Sequence, residues 1–124
     1  FLISGEGNFY ANIDFMRIEQ VLVNLLMNAY KYSADESDIK LAFIPEKENF
    51  KIVISDKGEG IPEQDLPYIF ERFYRVDKSR TRTTGGVGLG LAIVQDIVKK
   101  HNGKIIVESI QNQGTTFIIE LPYS

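Results

Sequence analysis

The chain has 124 residues, of which 44% are hydrophobic and 25% charged, which fits one soluble domain large enough to bury a core without staples. It has no cysteine and a single histidine, which excludes disulfides, thiolate metal sites and multi-histidine metal clusters. Its net charge of −3 argues against nucleic-acid binding, and every apolar stretch is broken well before the roughly 18–20 residues needed to span a membrane. No signal peptide is visible, and a start at Phe1 instead of Met is what a piece of a larger protein would show.

In chain order, residues 8–12 read as a short strand. Asp14 is a candidate N-cap for a long helix over 15–31, whose Ile18, Val21, Leu22, Leu25, Leu26 and Ala29 fall on one face. A polar break at 33–37 precedes two strands, 38–44 and 50–55, with turn formers between them that predict a hairpin. A glycine-rich turn over 56–62 leads to a short helix at 63–68, and then to an irregular charged stretch from about 70 to 87. A second long helix is predicted over 88–101, stopped by Asn102-Gly103, and strands 104–109 and 115–121 close the chain. The order β, α, β, β, short α, loop, α, β, β is most economically satisfied by one mixed sheet covered by helices.

Three features carry chemistry. The first helix has a polar stripe, Arg17, Gln20, Asn24, Asn28 and Lys31, beside its apolar one. Asn is a poor helix former, so two of them one turn apart call for a reason. Their carbonyl oxygens suit a hard cation such as Mg²⁺ and Lys31 suits phosphate, although a solvated face is an even alternative for this helix by itself. Asp56 ends an apolar strand and is followed by Gly58 and Gly60. A carboxylate there accepts a hydrogen bond from the exocyclic amine of adenine and rejects the carbonyl of guanine; the alternative is a plain Asp-Gly turn. The stretch Gly85-Gly86-Val87-Gly88-Leu89-Gly90-Leu91-Ala92 runs into a helix and can present free N–H groups to phosphates. It lacks the Gly-Lys-Ser/Thr of a P-loop and the spacing of a dinucleotide fingerprint. The preceding segment carries Arg72, Arg75, Lys78, Arg80 and Arg82, which reads as a mobile lid over a triphosphate or as a solvated charge run. His101 sits in the last turn of a helix, where a cation complements the dipole.

Taken together these segments resemble the catalytic, ATP-binding domain of bacterial sensor histidine kinases, in the GHKL superfamily, from about Tyr10 to Leu121. The family's N-box is matched by residues 17–33, its first glycine box by 56–62, its F-box by 69–75, its second glycine box by 86–93, and its last box by Gly114-Thr115-Thr116-Phe117. The resemblance implies a Bergerat-type α/β sandwich: a mixed sheet of about five strands, about three helices on one face, and a mobile ATP lid. It implies ATP and Mg²⁺, with Asn28 as metal ligand and Asn24 near metal and phosphates. Lys31 and Tyr32 would face phosphate and nucleoside, and Arg75 the γ-phosphate. Asp56 would take the adenine amine, with Gly58, Gly60, Ile61 and Thr116 at the base pocket. Gly86, Val87, Gly88, Leu89 and Gly90 would wrap the phosphates and Leu91 would pack under the base.

The implied activity is donation of the γ-phosphoryl group to a histidine on a separate dimerisation domain, which this chain lacks, with a response regulator downstream. His101-Asn102-Gly103 does not match the phosphoacceptor motif. The implied setting is a cytoplasmic domain of a membrane-anchored parent, monomeric when isolated. The ATP-hydrolysing clamps of the superfamily place a glutamate one turn before the metal-binding Asn; here that position is Asn24, an amide that cannot act as a general base. Anti-sigma-factor kinases share the fold but match the lid and N-box less well, and a degenerate docking module is disfavoured by the intact Asn28, Asp56 and glycine boxes.

Overall fold

The computed structural model describes residues 2–5, 15–32, 39–74 and 90–123, with residues 2–5, 15, 31 and 32 as backbone only. Five strands form one sheet: β1 (Leu2–Gly5), β2 (Lys40–Pro45), β3 (Asn49–Asp56), β4 (Lys104–Ile110) and β5 (Gly114–Pro122), in the order β1-β2-β3-β5-β4. β1 runs parallel to β2 and the other pairs are antiparallel, so the sheet is mixed. Two α-helices accompany it, α1 (Phe15–Tyr32) and α2 (Gly90–Lys100).

Period-2 alternation decides which face of the sheet is covered. Phe50, Ile52, Ile54 and Asp56 on β3 are buried, as are Thr115, Phe117, Ile119 and Leu121 on β5. The register sets them opposite each other: Phe50 to Leu121, Ile52 to Ile119, Ile54 to Phe117 and Asp56 to Thr115. Onto this face α1 lays Ile18, Val21, Leu25 and Ala29, and α2 lays Val94, Ile97 and Val98. The helical stripes pack because residues three and four apart share one side of a helix. Leu25, Val21, Val94, Ile119 and Leu121 are completely closed to solvent, so the core lies between the helices and the β3–β5 pair.

The end of α2 is built as the sequence requires. Asn102 adopts φ +60°, and the Gly103 N–H reaches back to the Val98 carbonyl at 2.9 Å, closing a Schellman turn. Gly103 has a second reason to be glycine, since a Cβ there would meet the Glu120 carbonyl and lie 2.6 Å from a Leu121 methyl. His101 rests its Nδ1 2.9 Å from the Ile97 carbonyl, a helix-end contact.

One expectation needs correction. The predicted short helix at 63–68 is a turn followed by the 3-10 helix Leu66–Tyr68. Pro67 has no N–H to donate to residue 63, so an α-helix starting there cannot close its first bond. The described helices are therefore two α-helices and this single 3-10 turn. The strand β1 was not anticipated; the strand expected at 8–12 and the N-cap at Asp14 lie outside the described residues. Among the described residues, no helix is long and apolar enough to cross a membrane.

Candidate nucleotide site

The polar end of the core face gathers the site. Asp56 is the last residue of β3, 8% exposed, in a row of otherwise apolar side chains. Its carboxylate accepts the Gly58 N–H at 2.9 Å and the Thr115 N–H from the neighbouring strand. Burial pushes its pKa above the usual carboxylate range, and the two N–H groups pull the other way without cancelling that effect. The result is a fixed, largely buried acceptor whose remaining lone pairs could take a ligand N–H.

Around Asp56, chain segments approach too closely for side chains. Gly60 has φ +71°, and a Cβ on it would meet the Ile110 carbonyl, with its carbon at 2.8 Å and the Gln111 Cα at 2.9 Å. Gly114 has φ +133°, and a Cβ on it would meet the Asp56 carbonyl group and lie 3.0 Å from the Lys57 Cα. The turn joining β4 to β5 is thus pressed against the glycine box, and the Asn112 N–H donates to the Glu59 carbonyl at 2.6 Å across that contact. Ile61, buried beside it, donates its N–H to Ser109 Oγ at 2.7 Å.

Thr116, the residue expected at the base pocket, points to the other face of the sheet. It is paired with Ser55, and the two hydroxyls are 3.2 Å apart there. Thr115 is the buried neighbour of Asp56. The alternation of β5 contains this answer: Phe117 is core-facing, so 115 shares its side and 116 does not. Ser109 was also missed, because half-burial on an edge strand leaves no mark in the sequence.

Asn24 and Asn28 are half-buried on α1, one turn apart. The Asn24 Nδ2 is buried with no partner among the described residues. Gly90, at the start of α2, stands next to it: a Cβ there would lie 4.0 Å from Asn24 Cγ. A buried amide N–H group without a partner among the described residues has donor capacity left over beside the first described residue of α2. Among the described residues no group of three or more His, Asp or Glu side chains could hold a metal. An amide oxygen such as that of Asn28 is of the kind that could hold Mg²⁺, a hard cation that takes oxygen ligands. Leu91 packs half-buried against the core.

The F-box enters the fold through Ile69, buried, and Phe70, whose ring meets Phe117 edge-on at 6.4 Å. Tyr74 donates its hydroxyl to the Asp65 carboxylate and stacks at a tilt on Tyr68, with centroids 5.6 Å apart. That bond to a carboxylate pushes the Tyr74 phenol up to about 12. Arg72 pairs with Asp96 of α2 at 3.3 Å, an exposed ion pair contributing at most about 1 kcal/mol. Lys31 and Tyr32 end α1, with side chains outside the described residues; Arg75, Gly86, Val87, Gly88 and Leu89 also lie outside them.

Residues 13–124 match the family described as histidine kinase-, DNA gyrase B- and HSP90-like ATPases. The sensor histidine kinase WalK of Bacillus subtilis is 45% identical over 120 residues, covering 95% of this chain and 20% of that protein. The histidine-protein kinase ArlS of Staphylococcus haemolyticus is 48% identical over 103 residues, covering 83% and 23%. The nucleotide-free catalytic domain of histidine kinase ThkA superposes with a TM-score of 0.84 at 31% identity, covering 98% of this chain and 78% of that one. The chain belongs to the histidine kinase-, DNA gyrase B- and HSP90-like ATPase family, and within it is an ATP-binding catalytic domain of the histidine kinase type. It spans about a fifth of the length of the curated relatives it matches.

Proposed function

We propose that this domain binds Mg-ATP between α1, α2 and the glycine box, and presents the γ-phosphoryl group to a histidine on a separate dimerisation domain. The observation that carries the reading is Asp56, a buried carboxylate held by two backbone N–H groups beside Gly60. It accepts from the adenine amine, while Gly58, Gly60, Ile61 and Thr115 shape the base pocket and Leu91 supports it. Asn28 supplies the amide oxygen for Mg²⁺, which when bound neutralises triphosphate charge. Asn24 Nδ2, without a partner in the described residues, donates to a phosphate oxygen. Lys31, Tyr32 and Arg75, and the backbone from Gly86 to Gly90, would complete the phosphate cradle.

The chemistry asked of the protein is mainly alignment and charge neutralisation, as in phosphoryl transfer generally. No general base stands one turn before Asn28, so water in the site is not activated and the phosphoryl group is kept for transfer. The parent would then be a sensor kinase held at the membrane, with this domain on the cytoplasmic side and a response regulator receiving the phosphoryl group next. Mixing the domain with γ-labelled ATP and a candidate dimerisation domain should give acid-labile phosphohistidine on the latter. The domain by itself should release phosphate very slowly; steady release at rates like those of the clamp ATPases, without transfer, would refute the reading.

A further inference from the structure

Asp56, Thr115 and Ser109 form a polar row across three strands on a face that is otherwise apolar: Asp56 is registered with Thr115, and Thr115 with Ser109. The hydrogen bonds of Ser109 fix more than its own position. Its Oγ accepts the Ile61 N–H at 2.7 Å. It lies 3.0 Å from the Gly114 carbonyl and 2.8 Å from Thr115 Oγ1. A serine hydroxyl has one proton, and a carbonyl can only accept. The Ser109 proton therefore goes to Gly114, and Thr115 must donate its own proton to Ser109 Oγ. The reverse assignment leaves Ser109 Oγ and the Gly114 carbonyl facing each other as two acceptors.

We infer that Ser109 is a specificity-determining residue of the base pocket: it holds the Thr115 hydroxyl proton away from the ligand. Thr115 Oγ1 then has only lone pairs left to offer a ligand, on the residue registered with Asp56. Two neighbouring acceptors favour a purine carrying an amine at carbon 6. They repel one carrying a carbonyl there, which needs a donor from the protein. Ser109 acts through Thr115 and Ile61, so it is a positioning residue. The inference rests on the adenine reading of the site.

The test is the ratio of ATP to inosine triphosphate affinity, measured by calorimetric titration of the folded chain with Mg²⁺ present. Ser109→Ala frees the Thr115 hydroxyl to turn and donate to the carbonyl of the inosine base. The ATP preference should fall roughly three- to tenfold, the range of one neutral hydrogen bond. Ser109→Thr keeps the hydroxyl on a strand position that tolerates β-branching and should preserve the preference. A structural role would weaken both nucleotides equally; an unchanged ratio in Ser109→Ala overturns the inference. If that variant does not fold, Thr115→Val gives the same decision, because it removes the oriented hydroxyl: the ratio falls if the inference holds and stays if it does not. Failure of the unsubstituted chain to prefer ATP would refute the adenine reading itself, a distinguishable result.

Discussion

Replacing Asp56 by Asn should move nucleotide affinity and fold stability in opposite directions. The carboxylate has two oxygens, which accept from Gly58 and Thr115 and would, in the proposed site, accept from the ligand as well. An Asn offers one oxygen, which the two N–H groups claim, and turns its amine toward the adenine amine. Losing a hydrogen bond to a charged acceptor costs about 1.5–3 kcal/mol. That weakens ATP binding roughly 10- to 150-fold. Stability follows from linkage. Burial raises the pKa of Asp56 in the folded state, so the folded chain holds this proton more tightly than the unfolded one. In that window the native state binds more protons, and stability falls as pH rises. The contribution of Asp56 is fully present below the unfolded carboxylate pKa and is lost as pH rises through the raised folded value. Asp56→Asn removes this cost, so its stability advantage should be absent in acid and should grow toward neutral pH. Urea unfolding without nucleotide at a series of pH values measures it, beside calorimetric ATP titration. A variant less stable than the parent at neutral pH, with the gap closing in acid, would mean that the two N–H bonds outweigh burial and would refute the argument. Unchanged ATP affinity would remove Asp56 from the base pocket.

Other perturbations separate the roles of neighbouring residues. Gly60→Ala places a Cβ against the Ile110 carbonyl at φ +71°, so it should lower stability by about 2–4 kcal/mol from left-handed strain plus loosened loop bonds, read by thermal melting. Asn28→Ala should reduce the Mg²⁺-dependent part of ATP affinity at least about tenfold while leaving the melting temperature within a few degrees, since the side chain is half-buried on the rim of the core. Thr116→Val, on the far face of the sheet, should leave ATP affinity within about twofold, a change smaller than one hydrogen bond is worth.

The amino-acid sequence by itself determined the elements whose period is strong. α1 was legible because its apolar residues recur on one helical face, and β3 and β5 because alternating aliphatic runs end at turn formers. The stop after α2 was legible because Asn-Gly is suited to the left-handed turn that closes a helix. The glycine boxes marked where backbone must approach closely, although Gly60 and Gly114 are required by contacts with distant strands that no local pattern records. The segment expected as a short helix at 63–68 forms only a 3-10 turn at Leu66–Tyr68, because Pro67 has no N–H to donate. β1 lay beyond local reading because four residues are too few for a periodic signal.

Tertiary structure decided the rest of the site. It joined Asp56 to Thr115 and Ser109, which lie some fifty residues further along the chain on one hairpin, by setting the register of β3 with β5 and of β5 with β4. It turned Thr115 and not Thr116 to the core face that carries Asp56, because facing is a property of the sheet and not of the residue type. It brought the start of α2 against Asn24, leaving a buried amide without a partner in the described residues. Sequence period tells each segment which of its sides is apolar, but which polar groups meet at the edge of the core depends on how those sides are stacked.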